Sequence, residues 1–208
     1  MTITEKLQKC FKAPLPGFTA QLQMAPGYRM NDLLKADNHI NAVKSSVLIL
    51  FYEKAGEYYL PFIKRPHYDG VHSGQIAFPG GRWEATDKSM YHTALREARE
   101  EIGIHSEKVS FMGKLTDLYI PPSNYIVSPF TAIYHSANTF VADPTEVAAI
   151  IEIPLSFFLR PEARTEALLK LSNGQEITTP CFNYNNHIIW GATAMILNEL
   201  IVLWKTTV

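Results

Sequence analysis

Apolar residues along this chain fall into blocks whose period changes from one stretch to the next. Ser46-Val-Leu-Ile-Leu-Phe-Tyr52 is a near-continuous apolar run and reads as a buried strand. Residues 57–64 read as a second, and the link Lys54-Ala-Gly-Glu57 predicts a hairpin between them. Residues 109–115 and 128–135 read as further strands. Between them lies Tyr119-Ile-Pro-Pro-Ser-Asn124, either a plain turn or a segment lining a pocket. Asp143-Pro-Thr-Glu146 introduces another buried run at 147–154. Residues 156–171 mix apolar positions with Arg160, Arg164 and Lys170 in a helical pattern. Residues 176–184 suit one arm of a hairpin turned at Asn173-Gly174. Trp190-Gly-Ala-Thr-Ala194 opens a strongly apolar terminal helix running to about Trp204; its face is expected to pack on the sheet, a dimer contact being the alternative.

The start of the chain is patterned differently. Residues 4–11 predict a short amphipathic helix stopped by Pro14-Leu-Pro-Gly17, and residues 29–36 a second one after Pro26-Gly27, leading to His39. So short a segment cannot bury a core alone. The expected organisation is an N-terminal extension, residues 1–41, packed on a domain spanning 42–208. Strands interleaved with helices predict an α/β architecture with a mixed sheet between helices.

Composition narrows the function classes. A chain of 208 residues, 47% of them hydrophobic, is long enough for one domain with a substantial core. A formal net charge of −1 gives no global attraction to nucleic acid or to an anionic membrane, so any anionic partner must meet a local patch. Cys10 and Cys181 have neither CxxC nor Cys/His spacing, which suggests reduced thiols rather than a zinc site or a disulfide. The first residues carry Glu5, Lys6 and Lys9 and do not resemble a signal peptide, and no apolar window is long enough for a membrane span. A cytoplasmic protein without nucleic-acid or membrane partners is expected.

Charge is densest at Arg96-Glu97-Ala98-Arg99-Glu100-Glu101-Ile102-Gly103. On a helix, Glu97, Glu100 and Glu101 stand at i, i+3 and i+4 and share one surface, where like charges cost a few tenths of a kcal/mol (about 0.2–0.5). A divalent cation reverses that sign, since hard ions such as Mg²⁺ or Mn²⁺ take carboxylate oxygens together with substrate phosphates. Arg96 and Arg99 bracket the acids, and Arg96 stands four residues before Glu100. Upstream, Phe78-Pro79-Gly80-Gly81 reads as an apolar anchor and a tight turn, where a carbonyl of Gly80 or Gly81 would complete a metal shell. Gly103 predicts a left-handed stop just after Ile102. Residues 64–75, with Lys64, Arg65, His67, His72 and Gln75, look like a phosphate grip.

This stretch resembles the signature of Nudix hydrolases: a glycine, five residues, an acid, a spacer, then Arg-Glu-apolar-x-Glu-Glu-x-Gly-apolar. Gly81, Asp87 and the run from Arg96 to Ile104 supply it, with Asp87 in place of the usual glutamate and a spacer of eight residues where seven is usual. Arg65, Gly74 and Phe78 to Gly81 further resemble a motif of the branch acting on coenzyme A, while Pro66 and Gly70 depart from it, Gly70 standing where an arginine is expected. The words EVAAIIEIPL resemble the same branch.

The resemblance implies a three-layer α/β/α sandwich, a small-molecule substrate, Mg²⁺ or Mn²⁺ as cofactor, and attack of water on one phosphorus of a diphosphate. For coenzyme A or its acyl derivatives the products are adenosine 3′,5′-bisphosphate and (acyl-)4′-phosphopantetheine. In that reading Glu97 and Glu101 are the chief metal ligands, Glu100 assists and Gly80 offers its carbonyl. Glu97 alternatively orients the water. Glu146 is a further ligand or a base, or else only an acid capping the next apolar run. Arg65 holds phosphate, and His72, Gly74 and Phe78 are expected beside the substrate. Two rivals stay open: a Nudix hydrolase of ADP-ribose, a dinucleotide or an oxidised nucleotide, and a non-catalytic nucleotide-binding module. Monomer and homodimer are both compatible with the sequence.

Overall fold

A computed structural model describes residues 1–34, 41–67, 72–136, 140–171 and 174–207. Three short helices come first: α1 (Ile3–Cys10), α2 (Gly17–Leu22) and α3 (Met30–Leu34). Thr2 starts α1 with a capping box, its Oγ1 accepting from the Glu5 N–H while the Glu5 carboxylate accepts from the Thr2 N–H. The helix expected over residues 29–36 is shorter than its pattern suggested. A 3-10 turn (Gly27–Arg29) precedes α3, and positions 35, 36 and 39 lie outside the described residues.

The first two apolar runs form the hairpin of β1 (Val43–Lys54) and β2 (Glu57–Lys64). Its turn is Ala55-Gly56, both with positive φ (52° and 78°), the backbone that a two-residue hairpin link needs. β3 (Ile76–Ala77) pairs with β2 and β4 (Gly80–Arg82) with β1, so the Phe78-Pro79 step bridges the two hairpin strands. Helix α4 (Met90–Ile102) follows, then β5 (Val109–Lys114), β6 (Leu118–Ile120), β7 (Tyr125–Tyr134) and β8 (Ala149–Pro154). The sheet runs β3-β2-β1-β7-β5, with β6 also on β7 and β8 on β2. Among the described residues only β1 and β7 pair in parallel, so the sheet is mixed.

β1 is apolar on both sides because both faces of the sheet are covered. Leu48, Leu50 and Tyr52 pack with Ala94, Ala98 and Ile102 of α4. Ile49 and Phe51 join Leu60 and Phe62 of β2 against Ile196, Leu197, Leu200 and Ile201 of the terminal helix α6 (Gly191–Thr206). Each such fully buried side chain stabilises by about 1.5–3 kcal/mol. The result is an α/β/α sandwich, with α1 and α2 packed against α6 and α1 also against β5; Leu7 and Cys10 of α1 and Met24 just past α2 belong to the same core.

One expectation is overturned. Residues 156–171 are not one helix: α5 (Leu155–Leu159) stops, a 3-10 turn (Pro161–Ala163) follows, and β9 (Arg164–Lys170) is a strand. Pro161 is the reason, since proline disfavours helical geometry in the residue before it, and Arg160 is extended at φ −74°, ψ 143°. β9 pairs with β10 (Glu176–Tyr184), which pairs with β11 (His187–Trp190), forming a second, three-stranded antiparallel sheet. Gly174, with φ 84°, occupies the expected β9–β10 turn; its partner Asn173 lies outside the described residues.

Candidate active site

Helix α4 begins where Ser89 Oγ accepts the His92 N–H and ends at Gly103, left-handed at φ 69°. That places Glu97 and Glu101 one turn apart, facing β4. The chain after the helix is tied back onto it: Val141 N–H donates to Ile102 O and Asp143 N–H to Glu101 O, each at 3.1 Å. Asp143 in turn accepts from the Thr145 N–H, which shapes the turn holding Glu146. One carboxylate oxygen from each of Glu97, Glu101 and Glu146 then lies within 4.8 Å of the others. Glu100 stands outside this group. Consecutive helix residues are rotated by about 100°, so Glu100 turns from Glu101 toward solvent, where Arg96 Nη1 binds it at 2.9 Å and Arg99 Nη2 at 3.5 Å.

Arg96 organises the outer side of the cluster. Its Nε and Nη2 donate to the two oxygens of Asp87 at 3.0 and 3.1 Å, and Nη2 also reaches Glu97 Oε1 at 2.9 Å and the Arg82 carbonyl at 3.0 Å. Asp87 thus reaches Arg96 with both oxygens in spite of its shorter side chain and the longer spacer. The Arg96 hydrogen bonds, with help from the Glu84 N–H and Thr93 hydroxyl, hold its pKa down at about 2. Gly80 sets the approach of helix to sheet: its N–H donates to Glu101 Oε2 at 2.8 Å. Its φ of 153° and the 2.2 Å that would separate a Cβ from the Ser46 carbonyl leave room only for glycine.

Burial pushes the Glu101 carboxyl up to about 8, and the charges of Glu97 and Glu146 add to that; the Gly80 N–H and Arg65 act in the opposite sense. Burial raises Glu97 as well, against the pull of Arg96. The site thus favours the neutral forms of Glu97 and Glu101 unless a cation replaces their protons. Three hard oxygen donors within reach of one ion match a divalent cation of the Mg²⁺ or Mn²⁺ kind.

Beside the cluster opens a cavity of about 640 Å³, in the range of small-molecule sites. Arg65, His72, Phe78, Gly80 and Gly81 line it, as do Ile120 and Ser123 of the Pro-rich segment. Phe78 is buried and stacks on Phe62, ring centroids 4.8 Å apart. His72 Nδ1 lies 3.0 Å from Gln75 Oε1, and its pKa is lowered by burial and by the neighbouring charges of Arg65 and Arg29, which makes it a neutral polar group rather than a cation. Gly74 and His67 are not among the cavity-lining residues; a Cβ on Gly74 would lie 2.7 Å from the His67 ring, so the glycine lets the loop close on that imidazole. Gly70 lies outside the described residues. Sequence reasoning missed Arg29, which the N-terminal segment brings into the cavity, and Trp190 to Thr193 at the start of α6. Neither carries a local motif that would have singled it out.

A mixed sheet between helices, with clustered carboxylates at the foot of a cavity walled by arginines, defines a hydrolase of diphosphate bonds. The chain belongs to the Nudix family, whose NUDIX domain model matches residues 43–166. It is 39% identical to the uncharacterized Nudix hydrolase NudL of Photorhabdus laumondii over 62% of this chain and 68% of that one. It is 30% identical to the peroxisomal coenzyme A diphosphatase NUDT7 of Mus musculus over 84% of this chain and 77% of that one. Among solved structures, a MutT/nudix family protein from Enterococcus faecalis aligns with 98% of this chain and 72% of its own at a TM-score of 0.49 and 15% identity. Nudix hydrolases act on small molecules and generally need a divalent metal such as Mg²⁺ or Mn²⁺. Among the described residues, no helix is long and apolar enough to cross a membrane.

Proposed function

We propose that this Nudix hydrolase cleaves the diphosphate of coenzyme A or acyl-coenzyme A, giving adenosine 3′,5′-bisphosphate and (acyl-)4′-phosphopantetheine. The observation that carries this reading is the likeness to the mouse coenzyme A diphosphatase, at 30% identity over 84% of the chain. The run of Arg65, Phe78, Gly80 and Gly81 along the cavity wall, the residues of the coenzyme A motif, supports it. We assign the protein to the cytoplasm, in keeping with two buried, unpaired cysteines.

Glu97, Glu101 and Glu146 would hold the cation, with a main-chain carbonyl from Gly80. A bound Mg²⁺ or Mn²⁺ neutralises phosphate charge and acidifies water. Arg65, close enough to Glu101 to lower its pKa, takes a phosphate oxygen of the diphosphate. Water oxygen forms the new bond to phosphorus while the bridging P–O bond breaks and its electron pair leaves with the departing phosphate. The water proton passes to a carboxylate, and Glu146 is the member of the trio held by neither Arg96 nor Gly80. Glu100 serves by fixing Arg96, which in turn fixes Glu97. Phe78 shapes the wall, Gly74 the loop behind it, and His72 offers a neutral hydrogen bond.

Incubating the purified chain with coenzyme A and Mg²⁺, with chromatographic analysis of the products, tests the reading. Both named products are expected, and none with chelator. Intact coenzyme A alongside rapid hydrolysis of ADP-ribose or a dinucleotide would overturn it.

A further inference from the structure

Three arginines, Arg29, Arg65 and Arg82, line the cavity. Arg65 and Arg82 line its catalytic end: Arg65 is near enough to act on Glu101, and Arg82 belongs to β4, which carries Gly80 and Gly81. Arg29 lies elsewhere. It lines a small side pocket with Ile120, Gly191 and Ala192, and the charges that act on Glu97 and Glu101 are those of Arg96 and Arg65, not of Arg29. Among the described residues no carboxylate pairs with Arg29; the Tyr28 ring lies 5.1 Å from its guanidinium carbon, and its charge acts on His72. Its Nε is shielded from water without a hydrogen-bond partner, and so is the Ser123 hydroxyl in the same cavity.

A guanidinium without a carboxylate partner in the wall of a cavity, with its Nε and the Ser123 hydroxyl also unpartnered, is a cation left for a ligand to meet. α6 begins at Gly191 with no side chain capping its first N–H groups, and Gly191 to Thr193 line the same cavity. A guanidinium, a hydroxyl and helix-start amides together suit a phosphate. Tyr125 and Trp190, also in the lining, offer aromatic faces on which a base can stack.

We propose that Arg29, with Ser123 and the first amides of α6, forms a subsite for a second anionic group, a phosphomonoester on the nucleoside half of the substrate, and that Arg29 selects for it. The inference deepens the coenzyme A reading and rests on it for the substrate used in its kinetic test. Arg29 is a specificity residue here, remote from the bond that breaks.

Wild type, R29A and R29K are compared in Mg²⁺ on coenzyme A and on 3′-dephospho-coenzyme A. The wild-type kcat/KM is expected to favour the 3′-phosphorylated substrate at least about tenfold, mostly through KM, as a charge-assisted contact would give. That ratio should collapse to within about twofold of unity in R29A and partly return in R29K, which keeps the charge without the fork and guards against a folding defect. Without metal, quenching of tryptophan fluorescence should show wild type binding adenosine 3′,5′-bisphosphate more tightly than AMP, a preference lost in R29A. Equal losses on both coenzymes in R29A, or equal affinity of wild type for the two nucleotides, overturns the subsite. If wild type cleaves neither coenzyme yet keeps an Arg29-dependent preference for the bisphosphate, the coenzyme A reading falls and the subsite stands. Cleavage of both coenzymes without preference does the reverse.

Discussion

Glu101 is 3% exposed and within reach of two other carboxyls, so its pKa rises from 4.5 to about 8 in the folded, metal-free protein. Between those values the folded protein keeps a proton that the unfolded chain has released, and stability falls as pH rises across the window. Urea unfolding without metal should therefore show decreasing stability from about pH 5 to pH 8. Glu101→Gln, which keeps an acceptor for the Gly80 N–H, should flatten that slope and raise metal-free stability near neutral pH by about 1–3 kcal/mol. The same variant should lose turnover by at least about a hundredfold, because it removes an anionic ligand from the cation site. Full activity, or an unchanged pH slope, would remove Glu101 from the roles given to it.

At the level of elements, the site depends on how closely α4 approaches β4. Gly80 and Gly81 meet that demand differently. A Cβ on Gly80 would strike the backbone of Ser46 and Val47, whereas the atoms nearest to one on Gly81 are those of the Glu97 carboxylate, the end of a side chain, at 2.5 Å. Gly80→Ala should cost about 2–4 kcal/mol in urea unfolding, combining overpacking with a disfavoured φ. Gly81→Ala should fold with a loss of less than about 1 kcal/mol yet lower activity by displacing Glu97. Equal stability costs for the two would refute this account of the turn.

Across the whole molecule, the N-terminal segment is held by a buried carboxylate, Glu199, that is not among the cavity-lining residues. Glu199 of α6 accepts from the Gly17 N–H, the Gln21 amide, and the Thr116 N–H and hydroxyl, which joins α2, the β5–β6 link and the terminal helix. Glu199→Ala would leave those donors unpaired in a site where Glu199 is fully buried, and should destabilise by about 3–5 kcal/mol. A loss under about 1 kcal/mol by urea unfolding would show the network to be dispensable. Because α2 leads directly into the segment carrying Arg29, this anchoring also bears on the cavity wall.

What could be read along the chain was whatever depends on neighbours in sequence. The β1–β2 hairpin followed from two apolar runs across a glycine turn, and the end of α4 from Gly103. Glu97 and Glu101 followed from helical spacing, and Phe78 to Gly81 from a local motif. Helical spacing also grouped Glu100 with them; in the fold its rotation about α4 and the pull of two arginines send it outward. The 156–171 stretch was misread because Arg160, Arg164 and Lys170 mimic a helical period that Pro161 interrupts. Glu146 needed the segment after α4 to fold back on that helix, and Arg29 needed an entire N-terminal segment to pack beside α6. Spacing along one helix is fixed by its own backbone geometry, so the sequence determined the acidic motif by itself. Which distant side chains meet that motif across a cavity depends on packing free energy shared among all the layers, and only the tertiary structure decided it.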